Sequence, residues 1–197
     1  MHRILPAFAI SAISLSLVAC SSTEPQETTP LPSPSSAPPS SSADPALERN
    51  DRGNLTRKVG ETFTFRTTSD EIAATVRLDD IKANPKCTGD YPEKPKDGTL
   101  VALTFTVTSE PELSELGDVA FDGGWWKYIA ADGMTYNGEL DTVAAYSCLS
   151  DKQRLPRVGP SEKAQGSVVL ELPDTKGVLI YGIGDGVEFD LSDAIKE

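Results

Sequence analysis

Histidine is all but missing from this sequence, and the single one is His2, beside the initiating methionine. A serine or cysteine nucleophile activated by imidazole needs a histidine in the folded domain, and so does a histidine-ligated zinc, so neither chemistry is expected. No P-loop, no GxSxG turn and no HExxH pair occurs. No cofactor is implied. Basic side chains are also scarce, 18 Lys and Arg against 30 Asp and Glu for a net charge of −12, which argues against nucleic acid or anionic lipid headgroups as partners. After Val18 no apolar run approaches the roughly 20 residues that cross a bilayer. The EF-hand spacing is absent too. Asp79-Asp80, Asp118 with Asp122, and Asp185 with Glu188 or Asp190 are the acids that could hold calcium, but solvated turns explain them more cheaply, and no metal site is expected.

What is present begins with an export signal. Arg3 gives a short positive start, and Ile4 to Val18 is apolar apart from Ser11, Ser14 and Ser16, too short to span a membrane and ending in small residues that suit a peptidase. Leu17-Val18-Ala19-Cys20 closes it and resembles the lipobox of bacterial lipoproteins. That resemblance implies cleavage before Cys20, a thioether-linked diacylglycerol on its sulfur, and anchoring on the extracytoplasmic face of the cell membrane. Removing Arg3 with residues 1–19 leaves 17 basic side chains against 30 acidic ones.

Residues 20–50 read as the lipidated cysteine and a disordered linker. Ser21 to Pro45 contains seven Pro and eight Ser, with Glu24, Glu27 and Asp44 its only charges, and such a composition buries no core. Its prolines favour extended polyproline II at about 3 Å per residue, enough to lift a domain on the order of 75 Å from the membrane. Asn54-Leu55-Thr56 matches the glycosylation pattern, a use not expected in a bacterial lipoprotein.

Residues 51–197 form one domain that reads as short strands with period-two alternation. Phe63 and Phe65 form one inward set; Ile72, Ala74, Val76 and Leu78 form another. Val101, Leu103, Phe105 and Val107 make the strongest strand, placed at the centre of a sheet, and Glu112 to Leu116 can make one helical turn. Trp125 to Ala130, the turn Asp132-Gly133 and Met134 to Tyr136 read as a hairpin, and Asp141 to Cys148 as a further strand. Val168 to Leu172, Val178 to Ile183 and Val187 to Leu191 complete an antiparallel sandwich.

The strand introduced by Asp97-Gly98-Thr99-Leu100-Val101, the aromatic strand before Asp132-Gly133, the Gly166-led strand and Gly177-Val178-Leu179-Ile180-Tyr181 follow one another in a recognisable order. In that order the chain resembles the domain of unknown function 4352 family over about Gly53 to Leu191. These are immunoglobulin-like β-sandwiches, frequent in actinobacterial lipoproteins and similar to a secreted mycobacterial immunogenic protein. The resemblance implies an all-β fold and transfers no catalytic residue. The long Ser109 to Gly124 segment departs from it.

With Cys20 taken by lipid, Cys87 and Cys148 remain as an even pair for an oxidising compartment, and a structural disulfide is expected of them rather than a redox pair, since they are not CxxC. In a strand, Trp125 and Trp126 point to opposite faces. Trp126 shares its face with Tyr128 and is assigned to the core. Trp125, with Lys127 and Ile129, falls outside, either packed beneath Ser109 to Gly124 or serving as a contact site together with Lys127. The expected protein is therefore a non-catalytic interaction module tethered to the membrane by its N-terminal lipid, with an extracellular or cell-envelope protein partner. Its rivals are a small cell-wall hydrolase using two carboxylates about 5 to 9.5 Å apart, and a spacer without a ligand.

Overall fold

The computed structural model describes residues 49–182 and 186–195. The export signal, Cys20, most of the linker and Asp185 lie outside the described residues. Two four-stranded sheets form the fold. The first holds β1 (Leu55–Thr56), β8 (Val187–Asp190), β7 (Val178–Tyr181) and β5 (Trp126–Ile129), in that order. The second holds β2 (Thr62–Arg66), β3 (Ile72–Ala83), β4 (Thr99–Ser109) and β6 (Lys163–Leu172). Facing apolar layers make this an all-β, immunoglobulin-like sandwich. Among the described strands every pairing is antiparallel except β1 with β8, which is parallel, a departure from the fully antiparallel reading.

β4 sits between β3 and β6 as its alternation demands, with Val101, Leu103, Phe105 and Val107 sealed in the core. Opposite it, Phe189, Tyr181, Trp126 and Tyr128 supply an aromatic layer in which Phe105 stacks on Phe121 at 4.6 Å and Trp126 lies 5.0 Å from Tyr181. The alternation of β3 is broken twice. A register shift between Phe65 and Arg66 turns Ile72 outward and draws Ala73 in, against the expected inward set. A second shift, between Leu78 and Asp80, brings both Leu78 and Ile81 into the core.

Residues 141–148, expected as a strand, instead form the helix α1 (Val143–Cys148). The Thr142 hydroxyl caps it by accepting from the Ala145 N–H at 3.2 Å. Ala144, Ala145 and Cys148 then fall on one face and cover Leu100, Ala102 and Val169 on the outside of the second sheet. Cys148 is bonded there to Cys87, with Cα atoms 4.4 Å apart, which fastens the loop before β4 to the helix. The strand after Asp132-Gly133 is also missing. Gly133 takes the left-handed turn (φ 86°), and the returning arm adds only a bridge from Thr135 to Ile129. The last described element is the short helix α2 (Leu191–Ala194). Among the described residues no helix is long and apolar enough to cross a membrane.

Three carboxylates explain how the loops are held. Glu171, buried on β6, accepts from the Lys96 and Asp97 N–H groups and from the Thr142 hydroxyl. Glu188, buried on β8, pairs with Arg52 and accepts from Asn54 Nδ2, so the start of the domain is locked to its last strand. Asn54, the residue of the glycosylation pattern, is itself buried in that lock. Asp174 accepts the Tyr128 hydroxyl at 2.5 Å, and that oxygen accepts in turn from the Gly177 N–H. A Cβ at Gly177 would fall 2.1 Å from the Ile129 carbonyl oxygen, so only glycine allows this approach.

Candidate functional site

The segment from Ser109 to Gly124 follows β4 and is folded against the sandwich at both ends. A 3-10 turn at Pro111–Glu115 sends Leu113 into the core, and Gly117 (φ 96°) reverses the chain after the exposed Leu116. Val119 then exchanges both backbone hydrogen bonds with Val158, at 2.9 and 3.0 Å. Phe121 plugs between Phe105 and Tyr181. A second 3-10 turn, Gly123–Trp125, leads directly into β5.

That turn decides the fate of the two tryptophans. Trp126, first residue of β5, is 7 % exposed and donates its indole N–H to the Phe121 carbonyl at 3.3 Å. Trp125 belongs to the turn rather than the strand and remains 48 % exposed. Its carbonyl accepts from the Gly182 N–H at 2.9 Å, which fixes its backbone to the end of β7 while the ring faces outward. The ring borders an open groove of about 490 Å³ whose apolar wall includes Phe65, Leu116 and Tyr181.

The polar wall of the groove is an ion-pair cluster. Arg157, from the loop that pairs with Val119, donates from Nη1 to both Asp118 carboxylate oxygens at 3.1 Å and from Nη2 to Asp122. The bond to Asp118 and the charges of both acids hold the guanidinium pKa above its ordinary value. Tyr181 closes the floor, its hydroxyl donating to the Ala120 carbonyl at 2.6 Å. Burial, followed by the Asp122 and Asp118 charges, pushes that hydroxyl up to about 12, so it stays protonated as a donor.

Lys127 is exposed on β5 opposite Ile180, on the outer face of the first sheet, and does not line this groove. Of the two residues expected at a contact site, Trp125 lines the groove and Lys127 does not. Several of the candidate calcium acids have other partners. Asp79 accepts from Arg77, Thr106 and Gln165, Asp118 and Asp122 hold Arg157, and Asp190 caps α2 through the Ser192 N–H. Among the described residues no three metal-ligating side chains converge. Arg157 is the groove residue that sequence reasoning missed. Its only local signal is that it stands alone as a base between Pro156 and Val158 while Glu110 to Asp122 carries five acids and no base.

A smaller aromatic surface lies across the disulfide-bearing face. There the Arg154 guanidinium covers the Tyr146 ring at 4.1 Å, and both residues line a shallow depression beside the fully solvated Tyr91. Arg154 also donates to the Tyr146 and Leu149 carbonyls, so it is committed to holding the end of α1.

No family model and no curated protein matches the chain. Among solved structures it is similar to MPT63, a secreted protein of Mycobacterium tuberculosis, at 16 % identity over 70 % of this chain and 97 % of that one, with a TM-score of 0.45. It is also similar to a candidate lipoprotein, ycdA, of Bacillus subtilis subsp. subtilis str. 168, at 13 % identity over 70 % of this chain and 40 % of that one, with a TM-score of 0.39.

Proposed function

We propose that this chain is a lipid-anchored β-sandwich of the domain of unknown function 4352 type, displayed on the extracytoplasmic face of the membrane. It binds a cell-envelope protein without catalysis through the groove beside Trp125. The observation that carries this reading is the large ring of Trp125, half exposed at the rim of an apolar groove while its neighbour Trp126 fills the core. Tryptophan is among the residue types enriched where binding energy concentrates at protein interfaces. The lipobox at Cys20 and the proline-rich linker supply the address and the reach. Within this groove, Arg157 pairs with both Asp118 and Asp122, which counts against that pair of acids serving as a hydrolase's acid and base.

Site-directed photocrosslinking in intact cells tests it. A photoreactive residue replacing Leu116, on the groove, should give a discrete protein adduct, whereas the same residue replacing Met134, which is even more exposed on the turn after β5, should not. Adducts of equal yield from both positions would contradict the assignment.

A further inference from the structure

We infer that the Trp125 groove takes a cationic peptide segment, one Arg or Lys side chain of which lies against the indole and replaces Arg157 as the counter-ion of Asp122. This rests on the reading of the groove as the contact site and names the chemistry of its occupant. Charge complementarity carries it. The groove lining sets two acids, Asp118 and Asp122, against one cation, Arg157, and the stretch that leads into it adds Glu110, Glu112 and Glu115 outside the lining, with no base between Glu110 and Asp122. An acidic rim around an exposed indole is the environment in which a guanidinium or ammonium gains from both the ring face and the carboxylates. The same rim, on a chain of net charge −12, repels polyanions.

Arg157 shows that the cradle accepts a guanidinium, because one is already there. Its side chain is 61 % exposed, and those of Asp118 and Asp122 are 41 % and 54 % exposed, so the pairs are solvated and weak enough to exchange for an incoming cation. The Asp118 pair, with both oxygens engaged, holds Arg157 in place while the single bond to Asp122 is released. A groove of about 490 Å³ lies within the range of specific small-ligand sites, roughly 300 to 1,000 Å³, and accommodates a basic side chain with an apolar neighbour against Phe65 and Leu116.

Titration of the full-length lipoprotein in a neutral detergent tests the inference. The probes are an acetylated, amidated hexapeptide of alternating Leu and Arg, the same peptide with Glu for Arg, and an uncharged N-acetylglucosamine trimer. The Arg peptide should bind and quench tryptophan fluorescence, with affinity falling about tenfold or more between 50 and 500 mM salt. Trp125→Ala should weaken it about fivefold. Arg157→Gln should tighten it severalfold by removing the internal competitor, and Asp122→Asn should weaken it. Unchanged melting of each variant separates these effects from unfolding. The inference is overturned if the Arg peptide fails to bind, if it binds no better than the Glu peptide, or if Arg157→Gln weakens it. A preference for the saccharide also overturns it and assigns the groove to a glycan. If the Leu116 photoadduct persists while the Arg peptide fails, the contact-site reading stands and only the cationic chemistry is lost.

Discussion

The Thr142 hydroxyl donates to Glu171 Oε2 at 2.6 Å, so the residue that caps α1 is also the clasp on a buried carboxylate of β6. The other Glu171 oxygen receives the backbone N–H groups of Lys96 and Asp97, and one side chain thereby ties the loop before β4, the helix and the sheet. Burial alone would push the Glu171 pKa up, but the Thr142 hydroxyl and the N–H groups of Asp97, Lys96 and Gly98 outweigh it and leave the pKa below the ordinary glutamate value. A depressed carboxylate stabilises the fold above its unfolded pKa, and that contribution is lost as pH falls through the folded value. Glu171→Gln should therefore cost about 1 to 3 kcal/mol near neutrality, with the difference from the parent shrinking once pH drops below about 4. Chemical denaturation at pH 7 and pH 3.5 measures it, and an equal deficit at both would sink the account.

The disulfide should matter through the same region. Cys87 and Cys148 close a loop spanning 61 positions, worth about 4 kcal/mol in the chain-entropy model. Peptide mapping of unreduced protein should recover the 87–148 cross-link. The double variant Cys87→Ala, Cys148→Ala should lose much of that stability and loosen α1, seen as faster amide exchange at residues 143–148. Free thiols in exported protein would contradict the assignment.

Trp126→Ala should cost about 3 to 5 kcal/mol, because the ring is packed among Phe105, Phe121, Tyr181 and Phe189. A fall in melting temperature of less than a few degrees would show that the aromatic layer is looser than its geometry.

Much of this architecture was legible in the chain. Val101, Leu103, Phe105 and Val107 alternate strictly, and no other arrangement buries all four. The inward placing of Trp126 and Tyr128 is legible too, although alternation places Trp125 in the strand and a 3-10 turn holds it instead. Residues 141–148 misled because Val143-Ala144-Ala145-Tyr146 fits either period. Thr142 as cap, and the apolar Leu100 and Ala102 on the outside of the second sheet in need of cover, decide for a helix. The ion-pair wall was not legible because Arg157 meets Asp118 and Asp122 across 39 and 35 positions, joined by the single Val119–Val158 bridge. No local pattern encodes such a meeting.

The anchor admits a simple check. If Leu17-Val18-Ala19-Cys20 is the lipobox it resembles, Cys20→Ser should move the protein from the membrane fraction to the soluble extracytoplasmic fraction. A variant that sediments with membranes as firmly as the parent would remove the lipoprotein reading.

The central claim, that the Trp125 groove is where the partner docks, is tested most directly by measuring stability and capture together on Trp125→Ala. With the ring already half in solvent, truncation should shift stability by no more than about 1 kcal/mol. Crosslinked capture of the partner on cells bearing the variant should fall severalfold at equal surface abundance. A variant that melts as low as Trp126→Ala, or one that captures the partner as well as the parent does, contradicts the claim.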